Sequence, residues 1–135
     1  MKIAVCFIGT NQYSEFFNLY YPACEKFLFP SVEKKYLVFT DQVDNPIFDR
    51  ERVVTSRIKH EPWPFITLWR FKFIKKAFDQ LEDTDYCLFL DADLIPQSQI
   101  SLEDVFSKDK ELVGVQHPGF IGKVGPFETR PQSSS

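Results

Sequence analysis

The chain lacks any surplus of positive charge: 16 Lys and Arg stand against 19 Asp and Glu over 135 residues, a formal net charge of −3. A basic footprint for nucleic acid is therefore missing. The doublets Lys34-Lys35 and Lys75-Lys76 are too short to make one and read as solvated surface. No apolar run approaches the length of a membrane span. Cysteine is sparse, and Cys6, Cys24 and Cys87 have no metal-binding spacing. Three thiols make no disulfide framework and fit a reducing compartment. Cys6 and Cys87 fall in apolar strand-like runs, where a free thiol behaves as a small hydrophobe. No G-x-G-x-x-G follows the first strand, which argues against a dinucleotide-binding Rossmann site. Lys2 precedes an apolar stretch, but that stretch is too short for a signal peptide and no small-residue cleavage site follows. The expected location is cytoplasmic. There are no internal repeats.

What is present is a core. Hydrophobic residues make up 44% of the chain and 15 are Phe, enough for one small domain. Lys2–Ile8 reads as a first strand ending near Gly9. An amphipathic helical stretch follows over residues 12–29, with Pro22 expected to kink it or start a second segment and Pro30 to end it. Tyr36-Leu37-Val38-Phe39 reads as a second strand closed by Thr40-Asp41. A polar loop with Asn45-Pro46 comes next, then a third, more exposed strand within residues 52–58. Glu61-Pro62-Trp63-Pro64 is rigid and extended. It leads into the strongest helical pattern, where Ile66, Trp69, Phe73, Ile74, Ala77, Phe78 and Leu81 form a stripe expected to be core. Asp83-Thr84-Asp85 breaks that helix. A helical turn is expected over 102–106, a further strand over 112–115, and an unstructured tail over 122–135. Strand, helix, strand, strand, helix, strand is the order of a nucleotide-binding α/β half.

One segment carries chemistry. Tyr86-Cys87-Leu88-Phe89-Leu90 reads as a strand buried on both faces of a parallel sheet, and it runs straight into Asp91-Ala92-Asp93. Ligands of open α/β sheets bind beyond the carboxyl ends of strands. Two carboxylates at i and i+2 there offer hard oxygen ligands for Mg²⁺ or Mn²⁺, and such an ion suits a diphosphate. The plainer alternative is that Asp93 caps whatever follows. The pair does not end the first strand and no Thr follows it, which argues against an aspartyl-nucleophile phosphatase.

Five segments in register resemble glycosyltransferase family 6, the retaining α-1,3-galactosyl and N-acetylgalactosaminyl transferases. They are Leu37-Val38-Phe39-Thr40-Asp41-Gln42, Trp63 through Arg70 and Phe71, Asp91-Ala92-Asp93, His117-Pro118-Gly119-Phe120-Ile121-Gly122, and Arg130-Pro131-Gln132-Ser133. The resemblance implies a GT-A (Rossmann-like) nucleotide-diphospho-sugar transferase fold within 1–135, apparently truncated, with UDP-galactose or UDP-N-acetylgalactosamine as donor and a glycan as acceptor. It implies that Ile8, Gly9 and Thr10 form the uracil pocket, with Tyr13 stacking on the base. Ile66 would line the nucleotide, and Arg70 would contact the donor sugar with a fork of donors that stays charged. Asp91 and Asp93 would bind Mn²⁺ (or Mg²⁺), Ala92 serving as the small residue between them, and His117 would lie near the acceptor.

The carboxylate that the family uses on the reacting face of the donor is expected beyond the chain end. Glu103 and Asp104 follow the metal pair too closely for that role and read as a surface turn. An incomplete sheet with exposed edges is expected to associate with itself or with another chain. Two other readings compete: a catalytically inactive UDP-sugar binder, and a family 8-type transferase, which also follows a buried strand with Leu-Asp-Ala-Asp. The His-Pro-Gly-Phe and Trp-Pro-Phe-Ile-Thr-Leu-Trp-Arg segments argue against family 8.

Overall fold

The computed structural model describes residues 1–62, 64–106 and 109. The chain divides into two compact units, Met1–Asp104 and Val105–Ser135, and the fold below is that of the first. Trp63, the strand expected at 112–115, His117, the Arg130–Ser133 match and the 122–135 tail lie outside the described residues.

Four strands, β1 (Lys2–Ile8), β2 (Glu33–Thr40), β3 (Val53–Arg57) and β4 (Tyr86–Phe89), form one sheet in the order β3-β2-β1-β4. Every pairing is parallel. The first crossover is a 3-10 turn (Asn11–Phe16) running into helix α1 (Phe17–Phe27). The return to β4 passes through α2 (Phe65–Leu68), α3 (Arg70–Lys76) and a 3-10 turn (Phe78–Leu81). A last short helix, α4, spans Leu102–Val105.

The central strand explains the architecture. Ile3 through Phe7 are wholly buried, as an unbroken apolar run requires when both faces of a parallel strand are covered. Alternate residues serve opposite layers. Phe7 meets Phe17 and Tyr20 of α1, ring centroids 5.0 and 4.8 Å away. Its neighbour Cys6 joins Leu37, Phe39, Phe73 and Ala77 on the α3 side. Each aromatic fully buried in this way contributes roughly 1.5–3 kcal/mol relative to exposure.

A polar clasp ties α1 to the sheet. Glu25 accepts from Tyr36 Oη at 3.0 Å and pairs with Lys34 Nζ at 3.5 Å and with Arg52. Lys34 is buried, and its ammonium also donates to the carbonyls of Phe29 and Val32 at 3.3 and 3.4 Å. A buried charge is tolerable only when paired and hydrogen-bonded in this manner.

Lys34, expected on the solvated surface, is instead buried within β2. Three further expectations change. Residues 65–81 are not one helix. The pattern is interrupted at Trp69 (φ −90°, ψ 9°) and Ala77 (φ −101°, ψ 21°), and the stripe is only partly core: Phe73 and Ala77 are buried, whereas Trp69 is 38% and Phe78 66% exposed. Aromatic and β-branched residues crowd this stretch and have weak helix propensity. Secondly, β4 is not buried on both faces. Among the described residues it pairs only with β1, Cys87 is exposed, and Tyr86, Leu88 and Phe89 are half-buried. Thirdly, the helix neither stops nor restarts at Pro22. The change from 3-10 to α comes earlier, between Phe16 and Phe17, and α1 runs through the proline. The turn expected over 102–106 is present as α4, and the Asp104 carboxylate accepts the Ser101 amide at 2.8 Å, as in a capping box.

Candidate functional site: the carboxyl edge of β1 and β4

The chain lays β1, β2 and β3 side by side, then crosses back to put β4 on the free side of β1. The direction of travel reverses there, and such a switch point leaves a crevice beyond the carboxyl ends of the two flanking strands. Gly9 and Thr10 follow β1 at this edge, and Leu90 and Asp91 follow β4. The two ends are fastened together: the Leu90 amide donates to the Cys6 carbonyl at 3.3 Å. Tyr20 Oη, from α1, donates to the Leu90 carbonyl at 2.9 Å. Burial holds the Tyr20 phenol well above its ordinary pKa, so it stays a donor. Just below, Cys6 Sγ and Cys87 Sγ lie 3.3 Å apart across the two strands. Their hydrogen bond lowers the Cys87 pKa and, with burial, raises that of Cys6.

Arg70 meets Asp91 at this edge. Its Nη2 lies 3.7 Å from Asp91 Oδ1, its Nε donates to the Thr67 carbonyl at 3.0 Å, and its guanidinium sits 4.4 Å from the centroid of the Phe89 ring. One α3 side chain thus grips both the last residue of β4 and the first acidic residue beyond it. Ile8 and Ile66, from β1 and α2, pack half-buried against the same core cluster. Regions distant in sequence thus share one core cluster beside this edge.

The segment after β1 is pinned to the end of β2. Asn11, in the left-handed region (φ 54°), donates its amide to Asp41 Oδ1 at 3.0 Å. Its carbonyl accepts from Ser14 Oγ and Gln42 Nε2, each at 2.9 Å. Tyr13 stands on this turn, 51% exposed, with its ring centroid 5.8 Å from that of Phe16. Thr10 is buried and its Oγ1 is 2.7 Å from His60 Nδ1, so the hydroxyl is engaged within the protein. Gly9 is required for packing: a Cβ there would fall 2.3 Å from Phe7 Cε1. Sequence reading missed Tyr20 and His60 as supports of the edge. Tyr20 carried no signal beyond its apolar helix, and His60 none beyond being one of two histidines.

Asp93 does not cap a helix. Asp91 and Leu94 close a turn, amide to carbonyl at 3.0 Å, and no helix follows over residues 94–100. The Asp93 carboxylate is exposed and has no partner among the described residues. No third His, Cys, Asp or Glu joins this pair among the described residues. Mg²⁺ and its like are commonly held by one or two carboxylates together with substrate phosphates, so this donor set fits such an ion shared with a diphosphate.

These features define a parallel α/β sheet with an acidic pair at its switch point, consistent with a Rossmann-like glycosyltransferase fold. The chain is a distant homologue of the O-antigen biosynthesis glycosyltransferase WbnI of Escherichia coli, 32% identical over 138 aligned positions that cover 99% of this chain and 58% of that protein. It thus spans little more than half the length of this relative. No family model matches it. No helix among the described residues is long and apolar enough to cross a membrane.

Proposed function

We propose that the chain is the donor-binding part of a retaining α-1,3-glycosyltransferase of family 6 type with a GT-A fold. It would move galactose or N-acetylgalactosamine from its UDP-sugar to a hydroxyl of a glycan acceptor. The supporting observation is the meeting of Arg70 and Asp91 at 3.7 Å, beside the end of β1 and with Asp93 unpartnered nearby. The relative's role, O-antigen biosynthesis, agrees with a glycan as acceptor.

In this reading Ile8, Gly9 and Thr10 bound the base, Ile66 lines the nucleotide, and the open face of Tyr13 stacks on uracil. Asp91 and Asp93 hold Mn²⁺ or Mg²⁺, which when bound neutralises charge on the departing diphosphate. Arg70 directs its guanidinium at donor oxygens, and Asp91 and Phe89 hold that guanidinium in position meanwhile. His117 is assigned to the acceptor side by its register with the family.

Calorimetric titration with UDP, first with Mn²⁺ and then with EDTA, tests the donor site. A Mn²⁺-dependent component of binding should appear and be lost in Asp93→Asn. UDP binding with no Mn²⁺-dependent component, or one that survives Asp93→Asn, would remove the acidic pair from the site. Turnover of UDP-galactose then separates a transferase from an inactive binder, which binds UDP but neither transfers nor hydrolyses the sugar nucleotide.

A further inference from the structure

The carboxyl edge carries a cavity of about 250 Å³ beyond the ends of β2 and β3. Four cations line it, Arg57, Lys59, Lys72 and Lys76, against one carboxylate, Glu61. This local excess is opposite in sign to the chain's net charge of −3. Lys72 and Lys76 both belong to α3, four residues apart, a spacing at which like charges repel on a helix. None of the four cations forms an ion pair with another described residue. Arg57 gives one N–H to the Asp41 carbonyl at 3.1 Å, and Lys72 lies 5.1 Å from the Trp69 ring centroid; neither contact cancels a charge. Phe39, Phe73 and Trp69 supply aromatic lining.

Uncompensated cations gathered in a concave, partly apolar site focus a field that draws anions. Lys and Arg together suit phosphoryl oxygens, and an indole wall suits a base or the apolar face of a sugar. We propose that this cavity binds a phosphoryl-bearing ligand through Arg57, Lys59, Lys72 and Lys76, independently of Asp91 and Asp93. Only the source of the phosphoryl group rests on the glycosyltransferase reading: with the donor's diphosphate assigned to Asp91 and Asp93, it is a phosphate on the acceptor. Neighbouring strands are about 4.8 Å apart, which sets β3 roughly 14 Å from β4, whose end leads to the acidic pair, near enough for both sites to serve one reaction.

The test is calorimetric titration of the chain with inorganic pyrophosphate in EDTA. Binding should weaken with added salt and persist in Asp93→Asn. It should fall on the order of tenfold or more in the pair Lys72→Gln, Lys76→Gln and again in Lys59→Gln, as lost bonds to a charged group require. These lysines are exposed, and a circular dichroism spectrum checks that each variant is folded. UDP and glucose 6-phosphate, a phosphate ester absent from the donor, serve as competitors to check the source: displacement by the sugar phosphate supports the acceptor, and displacement by UDP alone overturns that assignment. No metal-independent binding, or binding indifferent to all three lysines, overturns the site. That result together with Asp93-dependent UDP binding would overturn this cavity alone. Lysine-dependent pyrophosphate binding without Asp93-dependent UDP binding would uphold the cavity and overturn the donor reading.

Discussion

Arg70 works between an anion and a ring, and both contacts demand its planar fork. A lysine at this position keeps the charge but cannot cover Phe89, reach Asp91 and hold the Thr67 carbonyl together. Arg70→Lys should weaken UDP binding on the order of tenfold, while the unfolding free energy changes by less than about 1 kcal/mol, since the ion pair is substantially exposed. Urea denaturation beside calorimetry separates the two effects. Gly9 poses the opposite case. Gly9→Ala drives a methyl into the buried Phe7 ring, 2.3 Å from Cε1, and should cost about 1–3 kcal/mol by overpacking. Adding Phe7→Leu should return part of that loss; a double variant no more stable than Gly9→Ala alone would show that the strain lies elsewhere. At this scale the acidic pair stands out because it follows an apolar run, whereas Arg70, beside the apolar stripe, is singled out by its register with the family. Thr10 and His60 were not legible as partners. Their 2.7 Å contact joins residues 50 apart in sequence, and no local pattern encodes it.

Among the elements, α1 does more than cover the sheet. Its Tyr20 hydroxyl holds the carbonyl of Leu90 at 2.9 Å, one residue before Asp91. Tyr20→Phe leaves the ring packing intact and the carbonyl short of a donor, so it should cost about 1–3 kcal/mol. It should also weaken metal-dependent UDP binding, because Asp91 loses its anchor. Unchanged affinity in a measurably destabilised variant would show that α1 supports the fold alone. The β1 and β2 elements could be read from sequence because burial on both faces writes itself as continuous apolar runs. The same signature in β4 misled: Tyr86 to Leu90 are apolar, yet the strand stands at an edge of the described sheet with Cys87 exposed. Composition reports what a strand tolerates, not how much neighbouring chain covers it. The divided helix over 65–81 failed for a different reason: its apolar period is right, but Trp69 and Ala77 leave helical dihedrals without any glycine or proline to mark them.

For the molecule as a whole, buried acids of high pKa set the alkaline limit. Burial pushes the Cys24 thiol from 9.0 up to about 12, and it raises the Tyr20 and Tyr36 phenols further above their ordinary range. In the unfolded chain these groups lose their protons at ordinary pH values, so across the interval the unfolded state binds fewer protons than the folded one. Stability is therefore complete below about pH 9 and should fall above it, with a limiting slope of about 1.4 kcal/mol per pH unit for each such group. Urea midpoints compared at about pH 7 and about pH 10 check this, and Cys24→Ala should flatten the decline.

The pairing of β4 with β1 runs only from Ile3 and Tyr86 to Cys6 and Phe89, and it is the seam along which the acidic pair is sewn to the rest of the crevice. A ligand that touches Gly9 or Thr10 on one side and Asp91 on the other acts as a buckle across that seam. Opening the edge strand releases the ligand, so binding raises the free energy of opening: at a hundredfold excess over Kd it adds about 2.7 kcal/mol. Amide exchange along Tyr86–Phe89 should then slow on saturation more than exchange in β2, and the edge of the sheet becomes the gauge by which occupancy of the site is read.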